Sequence, residues 1–475
     1  MTELKQGNQA LRDRRYIDAI EHYVRILQAG ASLPLSLQTS IVINLRIAGQ
    51  HYQEQRTKAT PLRVAVASAG LSHNPAGRAY TLAQLYSRFA DVNIIGCLFP
   101  QWGREIWEPI RATTIPKHTF VVEDQAQFID QAFALVCAHP YDIVHLSKPR
   151  LPNIVFGMLY KLIWNATVLM DVDDEELAFV KAPTPLAWEA WLKESQTALP
   201  LNDWLGQTAT RLAVGWANGF DGVTVSNPAL QQRYGGTILR HARDEADFKP
   251  SVERRHRARS ALGLTAEQKV VLFLGTPRAH KGLQETAQAI ASLPRQDVVL
   301  LIVGDFPKGL RALKTEIAAL PGVKTRFMGN QPFASVPDLL AAGDVCVLLQ
   351  DPDSLAAQFQ TPAKLTDALA MGLVVLAEVT PGLADLAEAG AFEPVTRTTL
   401  AATLATVLDQ LPATPAAHPV FTEQLSLAAN YPVLQTVLAR TTAAPLSAPL
   451  HALASHTAWG LVLPTLVGTQ ICRCD

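Results

Sequence analysis

The chain has 475 residues, 48% hydrophobic and 17% charged, with a formal net charge of -1. That length implies two to three domains, and that balance supports large buried cores and argues against a chain disordered throughout. Near-neutral charge argues against nucleic-acid binding driven by bulk charge, and leaves room for a local basic patch that holds phosphates.

The N-terminus, Met-Thr-Glu-Leu-Lys-Gln-Gly, is polar and helical and does not read as a secretory signal. No apolar run reaches membrane-spanning length, so a cytoplasmic protein without a transmembrane segment is expected, with peripheral membrane contact left open. Five cysteines are scattered along the chain, and an odd count favours a reducing compartment. The terminal Cys472-Arg473-Cys474 lacks a second pair at zinc spacing, and no metal site is expected there.

Residues 4–29 place small residues (Gly7, Ala10, Ala19) among aromatics (Tyr16, Tyr23) and aliphatics at helical spacing. The pattern resembles a single tetratricopeptide-type hairpin, which implies either a protein-partner module or a helical pair capping the next domain. This segment is assigned to residues 1–60.

From Leu62 the pattern becomes short apolar runs between helical stretches. Residues 62–70, 92–98, 142–146, 166–170 and 222–226 read as buried strands, with a helix over 77–89. A polar, Pro-containing link lies near Asp247–Ser251, followed by a charged helix. The strand theme restarts at 270–274, 298–303, 323–328, 344–349 and 374–377. The fold class is therefore α/β, with two doubly wound, Rossmann-like domains (61–248 and 249–412) facing a cleft, preceded by a small α-helical segment and followed by a helical tail (413–475). Ligands are expected where strand ends from both halves converge.

Chemistry concentrates at those strand ends. In the first half, Asp171, Asp173 and Asp174 open an acidic cluster that continues through Glu175 and Glu176. It reads in three ways: a metal site, an acceptor or catalytic wall, or an acidic cap on the next helix. Lys148 and Arg150 end a neighbouring strand, placed to balance that acid or reach a phosphate. In the second half, Gly275-Thr276-Pro277-Arg278 and Lys281-Gly282 join a strand to a helix, giving tight turns and positive charge near a helix N-terminus. Gln358–Gly372 places Thr361-Pro362, Lys364-Leu365 and Asp367 at a second strand-to-helix turn. A diphosphate suits both.

These motifs resemble those of retaining glycosyltransferases of the GT-B fold, group 1 or family 4. The resemblance runs from about residue 62 to 412 and is strongest over 270–392. It implies a nucleotide diphosphate-sugar donor (UDP or GDP type unresolved), a glycan or lipid-linked acceptor, and no metal or other cofactor. It also implies that Lys281 and Lys364 hold phosphates, that Asp367 grips the ribose hydroxyls, and that the backbone around Thr361, Pro362 and Leu365 helps. Gly77 matches one glycine of the first-domain loop, and Gly329 ends a strand as in the family. Two departures stand out. Thr276 replaces the usual Arg, with Arg278 nearby. Phe359 replaces a Glu that normally contacts the transferred sugar. Asp171, Asp173, Asp174 and Lys281 are the expected catalytic residues. The alternatives are an inactive GT-B scaffold protein, or another GT-B enzyme such as a sugar-nucleotide epimerase, whose second-half acid cluster is missing here.

Overall fold

A computed structural model describes residues 2–28, 34–56, 61–187, 190, 203–278, 281–351 and 353–455. Two parallel sheets dominate it. The first contains β1 (Arg63–Ser68), β2 (Asp91–Leu98), β3 (Lys117–Val121), β4 (Ile143–Ser147), β5 (Thr167–Val172), β6 (Gly222–Val225) and β7 (Thr237–Ile238), in the order β3-β2-β1-β4-β5-β6-β7. The second contains β8 (Lys269–Leu274), β9 (Val298–Val303), β10 (Lys324–Met328), β11 (Val345–Leu348), β12 (Val374–Ala377) and β13 (Glu393–Pro394), in the order β10-β9-β8-β11-β12-β13. Helices cover both faces, so the central strands are apolar throughout and buried on both sides; Val298–Val303 is an example. Strand order reverses between β1 and β4 and again between β8 and β11. Each reversal opens a crevice at the carboxyl ends of the strands, where open α/β sheets bind ligands.

The predicted strands all form, and the helix predicted over 77–89 runs Ala76–Tyr86. Three strands escaped the sequence reading: β3, and the two-residue edge strands β7 and β13.

The N-terminal segment forms three helices, Thr2–Arg12, Tyr16–Gln28 and Leu35–Gln55. Ala10, Ala19 and Tyr23, the residues behind the tetratricopeptide reading, are buried in a core continuous with that of the first domain. Tyr23 Oη donates to Asn8 Oδ1 at 2.8 Å. The helices cap the first domain. The long third helix lies on helix Leu151–Trp164 and needs Gly49 for the approach, since a Cβ there would sit 2.8 Å from the Ile163 carbonyl oxygen. Gly49→Val should therefore cost about 1–3 kcal/mol by overpacking, read as a lower midpoint in urea unfolding.

The tail crosses back. The π-turn Phe421–Leu425 belongs to the second domain's core, whereas Leu427 and Leu434 of helix Leu427–Arg440 belong to the first domain's. At the crossing, Arg243 and Ser426 form a parallel bridge: Arg243 N–H donates to Leu425 O (3.1 Å) and Leu427 N–H to Arg243 O (2.9 Å). Two chain passages thus run side by side between the domains. The masked end of the tail, with Cys472 and Cys474, lies outside the described residues.

Candidate active site

The first domain brings a dense set of charges to the ends of β4, β5 and β6. Asp171, at the end of β5, is fully buried. Arg78 grips it with both arms, Nε at 2.8 Å and Nη2 at 2.7 Å, and Thr224 Oγ1 adds a third bond at 2.7 Å. Arg78 also donates to the carbonyls of Leu239 (2.8 Å) and Arg240 (2.9 Å). The expected catalytic place of Asp171 is corrected: both its oxygens are engaged in a buried clamp joining β5, the helix after Gly77 and the interdomain link.

Asp173 and Asp174 surround Lys148. Its Nζ lies 2.6 Å from Asp173 Oδ1, 2.7 Å from Asp174 Oδ2 and 3.4 Å from Glu176 Oε1. Arg150 also pairs with Glu176. Burial alone would raise the Asp173 carboxyl, yet Lys148, His241 and Arg78 hold it well below the usual carboxylate range. Carboxylate oxygens of Asp173, Asp174 and Glu176 lie close enough together to hold an ion. The Lys148 ammonium already sits among them, so a metal would have to displace it. Lys148 adopts φ 78°, a left-handed conformation that costs a non-glycine residue energy and turns its side chain into this cage.

The second domain presents the opposite situation. Gly275 follows β8 at φ 115°, and the 275–282 turn ends at Gly282, φ 60°. Gly282 is the N-cap of helix Leu283–Ala291 and Pro362 that of helix Ala363–Ala370, and neither helix start carries a side-chain cap. Lys364 Nζ is buried without a hydrogen-bond partner, 3.4 Å from the centroid of the Phe273 ring. Burial first and the neighbouring Lys281 second push its pKa well below the lysine range. Burial and Arg278 likewise lower that of Lys281, with Asp174 opposing. Among the described residues Lys281 has no ion-pair partner. Two uncapped helix starts and two close cations without an anion form a site for a polyanionic group.

The remaining expected residues divide. Arg278 is exposed at the mouth of the turn, Thr276 is half-buried beside Gly275, and Gly329 is exposed at the end of β10. Pro362 sits half-buried at the helix start. Leu365 is corrected: its side chain is in the core and its N–H is spent on Pro362 O at 2.9 Å. Thr361 is buried and donates to Gly382 O at 3.3 Å. Asp367 is corrected too. It does not lie open for a ribose but accepts from Arg243 Nε at 2.6 Å. Burial raises its pKa and Arg243 opposes the shift. Arg243 stacks over Phe248 and Phe333 (5.7 and 5.2 Å to the ring centroids) and reaches Thr81 Oγ1 of the first domain at 3.2 Å. It acts as a pin between the domains.

A second interdomain contact lies just before Lys364. Asn227 Nδ2, at the end of β6, donates to Phe359 O (2.7 Å) and Thr361 Oγ1 (3.1 Å). Gln360 Nε2 donates to Asp174 Oδ1 at 3.1 Å. Phe359 lies under Arg233, 5.5 Å from its ring centroid. Where the resemblance expects a carboxylate, an aromatic residue closes the cleft. Sequence reasoning passed over Arg78, Asn227, Gln360 and Arg243 as site-builders. For Arg78 a local signal existed, since it directly follows Gly77.

Residues 268–411 match the family model described as glycosyl transferases group 1. The second half is a group 1 glycosyltransferase domain. A colanic acid biosynthesis glycosyl transferase of Escherichia coli K12, WcaI, is 30% identical over 133 residues, which cover 27% of this chain and 32% of that relative. HepE (Alr3699) of Anabaena, solved with UDP-glucose, superposes with a TM-score of 0.56 at 19% identity, over 80% of this chain and 99% of that one. Sucrose-phosphate synthase of Thermosynechococcus elongatus gives 0.51 at 18%, over 79% and 94%. The fold is GT-B. Among the described residues no helix is long and apolar enough to cross a membrane.

Proposed function

We propose that the protein transfers a sugar from a nucleotide diphosphate-sugar to an acceptor hydroxyl, with retention of anomeric configuration and without a metal. The observation that carries this is the buried, partnerless pair Lys281 and Lys364 at two uncapped helix starts, facing a first-domain cluster whose carboxylates are all paired. The bond from the anomeric carbon to the diphosphate breaks, and the bond from that carbon to the acceptor oxygen forms. The acceptor proton leaves with the diphosphate. The two lysines stabilise the charge that grows on the leaving group, where stabilisation accelerates the step. The group 1 match over 268–411 and the UDP-glucose complex of HepE favour UDP as the first nucleotide to test. A glycan or lipid-linked acceptor fits equally.

Titration calorimetry with UDP tests the reading and carries its own signature. In the free protein Lys281 and Lys364 have lowered pKa values. A bound diphosphate favours their charged forms and raises both. Between the free and bound values the complex therefore holds more protons than the free protein, so binding takes up protons and weakens as pH rises through that window. Heats measured in buffers of different ionisation enthalpy should show net proton uptake, unchanged by EDTA. Proton release, or no saturable binding of UDP, GDP or ADP, would favour the scaffold reading.

A further inference from the structure

A second set of unpartnered atoms lies across the cleft, in the first domain. The loop leaving β1 carries Ser72 and His73, and the loop leaving β2 carries Trp102. Backbone bonds fasten the loops: Leu71 N–H donates to Cys97 O (3.0 Å), Trp107 N–H to Leu71 O (2.7 Å) and Trp102 N–H to Phe99 O (2.9 Å). The His73 imidazole stacks on the Trp102 indole, with centroids 4.7 Å apart and planes 14° from parallel. Trp164, Trp204 and Trp216 are buried, but Trp102 is 54% exposed, so the indole keeps an open face. Ser72 Oγ and His73 Nδ1 are buried without partners, and neither ring nitrogen of His73 is paired among the described residues.

The position matters as much as the atoms. Burial, then Arg150 and Lys148, push the His73 pKa down to about 4, which leaves a neutral ring near pH 7. The same interaction places His73 within electrostatic reach of Lys148, whose partner Asp174 bonds Gln360 of the second domain and acts on Lys281. The stacked pair therefore borders the crevice that holds the lysines.

We propose that Trp102, His73 and Ser72 seat the acceptor sugar, a pyranoside whose apolar face lies on the open indole and whose hydroxyls bond the imidazole and the Ser72 hydroxyl. A pyranose ring presents axial C–H groups on one face and hydroxyls at its edge, matching an aromatic plate flanked by polar atoms. A neutral imidazole offers one donor and one acceptor, as a hydroxyl requires. Buried polar atoms without partners in the free protein then gain them on binding. The name acceptor rests on the transferase reading; the binding does not.

Saturation-transfer NMR with millimolar methyl α- and β-glycosides of glucose, galactose, mannose and N-acetylglucosamine tests it, with and without UDP. Transfer from wild-type protein to the ring protons of at least one glycoside is expected. Trp102→Ala should weaken that glycoside roughly tenfold, and Trp102→Phe should keep part of the affinity. Thermal unfolding checks that the variants are folded, which the exposure of the indole favours. If no glycoside contacts the wild type, or Trp102→Ala binds as well, the seat is wrong, even where UDP still binds. If only phosphatidylcholine–phosphatidylglycerol vesicles depend on Trp102, the indole belongs to a lipid surface and the seat is wrong again. Glycoside binding that needs Trp102 in a protein that ignores every nucleotide would uphold the seat and remove the transferase reading.

Discussion

Lys364→Met is expected to weaken UDP binding roughly a hundredfold and remove sugar transfer, while leaving the protein as stable as before or more so. The two effects have one cause. Lys364 Nζ is buried with no hydrogen-bond partner, over the face of Phe273 and near a second cation, Lys281. A charge so placed is costly in the free protein, because burial penalises it and no anion offsets the penalty. Methionine fills similar space and removes the charge, so the unfolding midpoint should hold or rise. With a diphosphate present, the same charge forms a desolvated, charge-assisted contact worth about 2–3 kcal/mol. That is the hundredfold. Calorimetry with UDP and thermal unfolding of the same preparation decide it. A midpoint that falls while affinity holds would make Lys364 a structural lysine and move the anion site elsewhere. Lys281→Met should lose nearly as much, and the double variant less than the sum, since the two lysines act on one group.

The separation between what was readable and what was not follows the range of the interaction. Both sheets were legible because each buried strand is a continuous apolar run bounded by turns. The phosphate site was legible because its parts are local: Gly275 to Lys281 in one turn and Pro362 to Lys364 in another, each at a strand end. The missed strands lack that signature. Lys117-His-Thr-Phe-Val is half-buried throughout, and β7 and β13 are two residues long. The roles assigned to carboxylates fared worst. Three-residue spacing puts Asp367 and Lys364 on one face of helix Ala363–Ala370, but the cation that closes Asp367 is Arg243, 124 positions away. The partner of Asp171 is Arg78, 93 positions away. A carboxylate at a strand end looks the same in sequence whether it faces a substrate or a buried guanidinium. Phe359 shows the converse. Its departure from the expected Glu was visible, but its contact with Arg233 and Asn227 across the cleft was not.

The clamp around Asp171 makes the second large prediction. Arg78→Met should destabilise the protein by about 3–5 kcal/mol, because it leaves a fully buried carboxylate with only Thr224 for support. The loss also frees the carbonyls of Leu239 and Arg240 at the start of the interdomain link. Asp171→Leu alone should cost a similar amount by stranding the guanidinium. The double variant should recover most of both losses, since exchanging a buried ion pair for apolar groups of similar volume is often close to neutral. Urea unfolding of the four proteins gives the coupling energy. Turnover in the same set separates scaffold from chemistry. If Asp171 only holds the fold, the double variant regains transfer along with stability. If it regains stability but stays inactive while still binding UDP, Asp171 takes part in the reaction after all, and the clamp is also how the first domain keeps that carboxylate ionised at the floor of the cleft.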